Sequence, residues 1–232
     1  MKAQLIIPAG GFGTRLGRGI PKALVNIGKK PIIYWTLRKL LNIKWSFPTI
    51  IVVPQNYIDK FKSILSQYFQ DNEFVIIEGG PERQHSVYNG LQHLHPETEI
   101  VAIHDCARPF VPIRCVQECI EKAYTLGSAT VAIPVTDTIL EVDEKMFLRS
   151  TPNRKLLYQC QTPQAFKKEI ILDAHEKARK QNLLFTDDAS LAHYMGNQVG
   201  VVFGDPINIK ITLPYDIAMS ECLLGIETNE SH

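Results

Sequence analysis

The stretch QLIIPAGGFGTRLG, residues 4–17, decides the fold of this chain. Its first five residues, Gln4 to Pro8, are a short apolar run with two isoleucines, which predicts a buried strand. Four glycines follow within residues 10–17, where the chain has to turn out of the sheet. Because glycines leave backbone N–H groups unobstructed, a glycine-rich loop after a strand is typical of a phosphate-binding site. A plain tight turn is the alternative interpretation.

Beyond this loop, short β-branched runs alternate with segments of helical period. This alternation predicts an α/β fold with a mainly parallel sheet. Apolar residues such as Ile33, Leu37 and Leu40 recur at three- and four-residue spacing, so the helices are expected to cover the sheet. The predicted strands are 4–8, 49–53, 74–77, 100–104, 129–133, 198–203 and 207–212.

Two segments break the alternation. Residues 136–157 are charged and β-prone without a helical period, which predicts a protruding, hairpin-like arm. Near the C-terminus, Pro214 is expected to open a helix, and the polar tail 227–232 is expected to be frayed. Since no linker is long enough to divide the chain, residues 1–232 are predicted to form a single domain.

The amino-acid composition excludes several classes of function. The 232 residues are 45% hydrophobic and 21% charged, as in ordinary globular proteins, and the formal net charge of +1 gives no basic excess for binding nucleic acid. No apolar run approaches the ~20 residues that cross a bilayer, so no membrane association and a cytoplasmic location are expected. Five cysteines without a CxxC pair indicate neither disulfides nor a zinc ribbon; Cys115 and Cys119 are interpreted as buried apolar residues.

Two cations accompany the glycine loop. Arg15 lies inside it, and Lys22 follows Pro21 directly. The loop lacks the GK[ST] ending of a P-loop, and its glycine spacing fits a dinucleotide-binding fingerprint poorly. An acidic residue about twenty positions further on, which would bind a ribose hydroxyl, is also missing. An NAD-dependent oxidoreductase is therefore disfavoured.

Motifs along the whole chain carry a family resemblance. The segment GGFGTRLGRGIPKAL resembles the signature of nucleotidyltransferases, including those that act on sugar 1-phosphates. Further on come EGGPERQHSV, HDCARPF, PNRKLLYQCQTPQAF, FTDDAS and NIKIT, in that order. Together they resemble the 2-C-methyl-D-erythritol 4-phosphate cytidylyltransferase family. Ribitol-5-phosphate cytidylyltransferases share most of these motifs, so the acceptor stays open between the two polyol phosphates.

The resemblance implies a Rossmann-like, three-layer nucleotidyltransferase fold with helices on both faces of the sheet and a protruding β-arm. It implies that CTP and methylerythritol phosphate react to give CDP-methylerythritol and pyrophosphate, a step of non-mevalonate isoprenoid precursor synthesis. Mg²⁺ is the implied cofactor, held mainly by phosphates with Asp105 as an optional ligand. The arm is implied to exchange between two subunits, so that a homodimer shares its active sites. A non-catalytic nucleotide-binding module is the alternative from another class.

The same resemblance implies roles for individual residues. Arg15 and Lys22 match the catalytic cations that stabilise the transition state. Residues along the glycine loop and a second glycine turn are implied to bind the nucleotide: Pro8, Ala9, Gly10, Gly11, Gly13, Gly79, Gly80, Arg83 and Ser86. Residues implied to bind the acceptor phosphate and nearby phosphates are Asp105, Arg108, Thr138, Arg154, Thr186 and Lys210.

Several of these assignments have plainer alternatives. Arg83 either contacts the nucleotide or braces the second glycine turn, and Asp105 either serves the site or caps the next helix. Thr138 and Arg154, on the arm, are implied to serve the partner's active site. His104 is interpreted as a buried core histidine. A buried Cys106 near the ribose predicts sensitivity to thiol reagents.

Overall fold

The computed structural model describes residues 1–17 and 19–229. Its strands, in chain order, are β1 (Ala3–Pro8), β2 (Asn26–Ile27), β3 (Lys30–Pro31), β4 (Thr49–Val53), β5 (Phe74–Glu78), β6 (Ile100–Ile103), β7 (Ser128–Pro134), β8 (Glu141–Val142), β9 (Leu148–Ser150), β10 (Tyr158–Lys167) and β11 (Gly200–Phe203). The helices are α1 (Ile32–Leu40), α2 (Ile58–Leu65), α3 (Arg83–Leu91), α4 (Ile113–Leu126), α5 (Lys168–Lys180), α6 (Asp188–Tyr194) and α7 (Pro214–Asn229).

Seven strands form the central sheet in the order β11-β7-β10-β6-β1-β4-β5. Strand β10 runs antiparallel to β6 and β7, whereas the other neighbouring pairs of this sheet are parallel. Strand β4 is buried along its whole length, as expected for a strand covered on both faces. The predicted α/β class with a mainly parallel sheet is confirmed.

Helices cover both faces of the sheet because side chains alternate along each strand. In β1, Leu5 and Ile7 pack into one hydrophobic cluster with α1, α2 and α4. Ile6, between them, packs into a second cluster with α3, α5 and α6 on the opposite face. The three-layer arrangement is therefore confirmed, and the carboxyl ends of β1, β5 and β6 meet at one edge. Among the described residues, no helix is both long and apolar enough to cross a membrane.

One predicted strand is absent, and one strand of the main sheet was not predicted. Residues 207–212 form no strand; instead the backbone N–H of Ile211 donates to the carbonyl of Ala107, 2.9 Å away, outside any ladder. Strand β10 was not predicted, because Pro163 lies inside it and proline lacks the N–H that a ladder needs. A register shift between Cys160 and Gln164 accommodates this proline.

The two segments that break the alternation also have a defined shape. Strands β8 and β9 pair as an antiparallel hairpin outside the main sheet, and residues 139–151 are exposed throughout. Helix α7 begins at Pro214 as predicted. The first residues of the tail that was expected to be frayed, 227–229, form the end of α7. Residues 230–232 lie outside the described part of the chain.

Candidate active site

A cavity of about 260 Å³ opens at the carboxyl edge of the sheet. The loops after β1, β5 and β6 form three of its sides, and the segment around Lys210 forms the fourth. Ligands of open α/β sheets bind at this edge. The cavity is lined by Pro8, Ala9, Gly10, Gly11, Lys22, Ala23, Gly80, Pro81, Glu82, Arg83, Ser86, Asp105, Cys106, Ala107 and Lys210.

The first glycine loop packs closely against the backbone of Lys22. The N–H of Lys22 donates to the carbonyl of Gly11, 2.8 Å away. Gly13 has a φ of 57°, and a Cβ built on it would lie 3.0 Å from the Cβ of Lys22. Any residue with a side chain would therefore meet both backbone strain and a steric clash at Gly13. This glycine lets the loop close beside the lysine.

A second glycine turn faces the first loop across the cavity. Ser86, a buried residue of α3, accepts a hydrogen bond from the N–H of Gly80 at 3.1 Å. A Cβ on Gly79 would lie only 2.8 Å from the Ser86 hydroxyl, so the turn can approach the helix only with glycine at that position. Ser86 thus fixes the turn from both sides, because its hydroxyl also lies 3.3 Å from the carbonyl of Gly80.

Asp105 is held between two cations directly after β6. Its Oδ1 accepts from Arg83 Nε at 2.9 Å, and its Oδ2 accepts from Lys210 Nζ at 2.6 Å. The Asp105 side chain is 11% exposed. Burial alone raises the pKa of this carboxyl, but Arg83 and Lys210 reverse the effect and hold the pKa well below its ordinary value. Asp105 is therefore a fixed negative charge, and it holds Lys210 at the cavity.

Lys22 is the second lysine of the cavity. Its Nζ donates to the carbonyl of Ile211 at 2.9 Å, so the segment that carries Lys210 also holds Lys22. Burial first, and the positive charge of Lys210 second, lower the pKa of Lys22. Two ammonium groups that disfavour each other's charge are stabilised when an anion enters between them. The site is therefore electrostatically suited to phosphate.

His104 lies behind Asp105 in a chain of hydrogen bonds. Its Nε2 lies 3.0 Å from the carbonyl of Arg108 and its Nδ1 3.1 Å from the hydroxyl of Thr162. A carbonyl can only accept, so Nε2 carries the hydrogen and Nδ1 accepts from Thr162, which in turn accepts from the N–H of Asp105. Burial lowers the pKa of His104 to about 4, which keeps the ring neutral. The prediction of a core histidine is confirmed.

The structure separates the remaining candidate residues into three groups. Gly13 and Gly79 lie directly beside the cavity lining. Two arginines lie outside the lining. Arg15 is exposed on the short turn 14–16. The guanidinium of Arg108 donates hydrogen bonds to the carbonyls of Asn208 and Cys160. Three others are exposed and outside the lining: Thr138, Arg154 and Thr186.

Comparisons with known proteins agree with this architecture. Residues 3–226 match the sequence profile described as 2-C-methyl-D-erythritol 4-phosphate cytidylyltransferase. The chain belongs to this family. A relative of that name from Caldanaerobacter subterraneus is 40% identical, with 97% of this chain and 99% of the relative covered. One from Geobacillus thermodenitrificans is also 40% identical, with 97% and 98% covered.

Solved structures place the chain in the same family. The crystal structure of 4-diphosphocytidyl-2C-methyl-D-erythritol synthase from Anaerococcus prevotii has a TM-score of 0.86 and 30% identity, covering 97% of this chain and 96% of that one. The 2-C-methyl-D-erythritol 4-phosphate cytidylyltransferase of Thermus thermophilus has a TM-score of 0.79 and 30% identity, covering 96% and 98%. The nucleotidyltransferase fold is confirmed, and this cytidylyltransferase family is favoured over the ribitol-phosphate alternative.

Sequence reasoning missed part of the charge network in this family member. Arg83 Nη1 donates to Asp188 at 2.7 Å, and His175 Nε2 lies 3.0 Å from the other oxygen of Asp188. The FTDDAS motif contains Asp188, but neither acid in it received a role. The available signal was a second acid next to the N-cap: Asp187 fills the cap by accepting from the N–H of Ser190, and Asp188, the first residue of α6, is not needed for capping.

The cavity offers little protein ligation for a metal in this cytidylyltransferase. No cluster of three or more potential metal ligands occurs among residues 1–17 and 19–229. Asp105 is one carboxylate in the cavity, and both its oxygens already face cations. Mg²⁺ typically binds one or two protein carboxylates together with substrate phosphates and water. The residues present therefore fit a Mg²⁺ that enters on the substrate phosphates, with Asp105 as an optional rather than a required ligand.

Cys106 is buried in the cavity wall, 4% exposed. Burial raises the pKa of its thiol, and the nearby Lys22 only partly offsets this. A protonated, buried thiol reacts slowly, because the thiolate is the nucleophile. The structure thus gives the predicted thiol sensitivity no support at Cys106, whereas Cys160 and Cys222 are exposed.

Proposed function

We propose that this protein transfers the cytidylyl group of CTP to 2-C-methyl-D-erythritol 4-phosphate, giving CDP-methylerythritol and pyrophosphate in isoprenoid precursor synthesis. The observation that carries the proposal is the convergence of Lys22, Lys210 and two glycine turns on one cavity of a chain from this family. A cavity with paired ammonium groups and bare backbone is suited to joining two phosphorylated molecules.

In the proposed reaction, an oxygen of the acceptor phosphate attacks the α-phosphorus of CTP. The new P–O bond forms as the bond from the α-phosphorus to the bridging oxygen breaks, and pyrophosphate leaves with that electron pair. A phosphate monoester has its second pKa near ~6, so the attacking oxygen is already deprotonated at neutral pH. No general base is needed, and catalysis consists of positioning and charge stabilisation.

The glycine-rich side of the cavity binds CTP in this proposal. The loop around Gly10 and Gly11 lies along the phosphates, and the turn at Gly79 and Gly80 faces cytosine and ribose. Its carbonyls accept from the exocyclic amine that distinguishes cytosine from uracil. Arg83 braces the site, since two of its nitrogens already bind carboxylates.

The cations divide between the two substrates. Lys22 and Arg15 stabilise the charge that develops around the α-phosphorus, Lys22 as a compact charge and Arg15 through its donor fork. Arg15 is exposed and has to fold over the phosphates when CTP binds. Lys210 and Arg108 bind the acceptor phosphate, with Thr186 as a hydroxyl donor.

Mg²⁺ is part of the proposed reaction. When bound, it would neutralise phosphate oxygens and help the pyrophosphate to leave. Asp105 is the protein residue that would contact it. The remaining positive charge around the phosphates comes from the lysines and arginines of the chain.

We propose that the hairpin arm, residues 136–157, pairs with a second copy of the chain and carries Thr138 and Arg154 to the partner's cavity. The arm exposes a set of large apolar side chains that its own chain leaves uncovered: Leu140, Val142, Met146, Phe147 and Leu148. Exposed apolar patches of this kind mark interaction surfaces. Such an exchange supplies the acceptor side with the hydroxyl of Thr138 and the positive charge of Arg154, neither of which lines the cavity of its own chain.

We further propose a cytoplasmic reaction. Cys160 and Cys222 are exposed free thiols, which is typical of proteins from reducing compartments.

The test is pyrophosphate release by the purified protein in the presence of CTP and Mg²⁺. Release is expected only when methylerythritol phosphate is added, and CDP-methylerythritol should accumulate in equal amount. Ribitol 5-phosphate serves as the matched acceptor and should react much more slowly. Absence of release with either acceptor, by a protein that binds CTP, would instead indicate a nucleotide-binding module.

A further inference from the structure

A continuous chain of ion pairs and hydrogen bonds leads from the cavity into the protein interior. It starts at the cavity with Lys210, which binds Asp105 at 2.6 Å. Asp105 binds Arg83 at 2.9 Å, and Arg83 binds Asp188 at 2.7 Å. The chain ends at His175, whose Nε2 lies 3.0 Å from Asp188. No part of the proposed reaction uses its last two members.

The inner end of this chain is rigid, whereas its outer end is open to solvent. The side chains of Asp188 and His175 are each 1% exposed, compared with 40% for Lys210. The backbone N–H groups of Asp188 and Ala189 both donate to Gln164 Oε1, at 2.9 and 3.0 Å. The position of Asp188 is therefore fixed in the interior, and the chain of contacts extends from there to Lys210 at the cavity.

The two carboxylates and the guanidinium depend on one another. Burial alone lowers the pKa of Arg83, but Asp188 and then Asp105 raise it above the ordinary value. Burial raises the pKa of Asp188, and Arg83 together with His175 brings it below the ordinary value. A buried ion pair needs its remaining lone pairs satisfied by further hydrogen bonds. His175 does this for Asp188 Oδ1, the oxygen that Arg83 Nη1 does not bind.

His175 also restricts how Asp188 binds Arg83. A ring nitrogen that faces a carboxylate acts as a donor, so Nε2 carries the hydrogen. With Oδ1 held by His175, Asp188 offers only Oδ2 to Arg83. Without His175, both oxygens are free for a bidentate contact with the guanidinium, the geometry that arginine and carboxylates favour. Arg83 Nη2 has no hydrogen-bond partner within the described part of the chain, so an end-on contact through Nη1 and Nη2 would turn the guanidinium and change the direction of Nε toward Asp105.

We propose that His175 is a positioning residue for binding of the acceptor phosphate. It fixes Asp188, Asp188 fixes Arg83, and Arg83 holds Asp105 in the place where Lys210 can meet the phosphate. This inference rests on the proposed function, in which Lys210 binds the acceptor. A role in folding alone is the alternative, and it would lower the fraction of active enzyme without changing how that enzyme binds substrate.

The kinetic experiment compares three variants with the wild type. His175→Leu removes the donor, His175→Gln keeps a donor near the position of Nε2, and Ile171→Val removes one buried methyl group from the same helix. His175→Leu is expected to raise KM for methylerythritol phosphate about tenfold, with kcat changed less than roughly twofold. His175→Gln and Ile171→Val should keep KM near the wild-type value. A lower kcat with unchanged KM in His175→Leu would overturn the proposal.

A second measurement needs no turnover. The ¹H–¹⁵N resonance of Arg83 Nε reports its bond to Asp105 and is identified by its loss in Arg83→Lys. It should shift or broaden in His175→Leu and stay in place in His175→Gln and Ile171→Val. An unchanged resonance in His175→Leu would overturn the proposal even if the wild type transferred no cytidylyl group, in which case the proposed function would fail separately. Should His175→Leu not fold, Asp188→Asn takes its place in both experiments.

Discussion

The cavity and the hairpin arm differ in how many of their side chains have interaction partners within the same chain. At the cavity, Asp105 is almost enclosed and binds two cations, and Lys22 is held by a carbonyl of the segment opposite. On the arm, Phe147 is 68% exposed, and the guanidinium of the exposed Arg154 donates to the carbonyl of Thr136 at 2.6 Å. The charged side chains of the cavity thus find partners within one chain, whereas the apolar side chains of the arm stay exposed on it.

The largest expected effect tests the cavity side of this contrast. Lys22→Ala should lower kcat on the order of 10²-fold or more, because it removes a preorganised charge from the transition state. The fold should persist, since within the described residues the hydrogen bond of the Lys22 ammonium is to a single carbonyl, that of Ile211. Lys44→Ala, which removes an exposed lysine distant in sequence from the glycine loop, is the control and should be fully active. A folded Lys22→Ala protein with near-normal turnover would exclude Lys22 from catalysis.

The second effect tests whether the arm serves another subunit. Lys22→Ala and Arg154→Ala should each be nearly inactive as homodimers. Co-expressed in equal amounts, they form mixed dimers in half of the cases, and each mixed dimer has one intact site. About a quarter of wild-type activity should therefore return. If the mixture is no more active than its components, the arm does not complete the partner's cavity.

A smaller effect is expected from the apolar surface of the arm. Phe147→Ser should weaken dimerisation by about 2 kcal/mol, the loss that is typical of a large anchor at an interface. Sedimentation across a dilution series measures the dissociation constant. Tyr124→Ser, which changes an exposed aromatic residue on α4, is the matched control and should leave the constant unchanged. An equal effect of both substitutions would argue against the arm as the interface.

The smallest expected effect is on the pH dependence of stability, and it comes from His104, the neutral histidine buried behind the cavity. The pKa of His104 is lowered from 6.5 to about 4 by burial, so between these values the unfolded chain binds the proton and the folded chain does not. Stability is complete above pH 6.5 and falls as the pH drops toward 4. From pH 7.5 to 5.5 the wild type should lose about 1 kcal/mol more than His104→Gln. Urea unfolding at both values measures this, and equal losses would show that His104 does not stay neutral.

The sequence predicted what depends on local pattern. The β1 strand, its glycine loop and Lys22 lie within a short stretch, and period-two and helical spacings fixed most of the sheet and its covering helices. Strand β10 was not predicted, because a proline such as Pro163 is by itself evidence against a central strand. The segment 207–212 has strand-like composition, but it hydrogen-bonds to a loop at Ala107 instead of joining the sheet.

Contacts between distant residues were less predictable. Lys210 was identified through a family motif, but its partner, Asp105, is 105 positions away, and nothing in either segment indicates the pairing. The only sequence signal for Asp188 is that it follows another acid at the start of α6, and His175 carries no pattern that distinguishes it from any residue on a helix face. Their function follows only from the tertiary fold that places them behind Arg83.

A crystal structure of the protein with CDP-methylerythritol tests the central claim most directly. The account predicts the diphosphate between Lys22 and Lys210, the cytosine against the turn at Gly79 and Gly80, and Arg154 from a second chain beside the methylerythritol. Product bound at another cavity, with Lys22 and Lys210 still facing Ile211 and Asp105 and no phosphate between them, would contradict it.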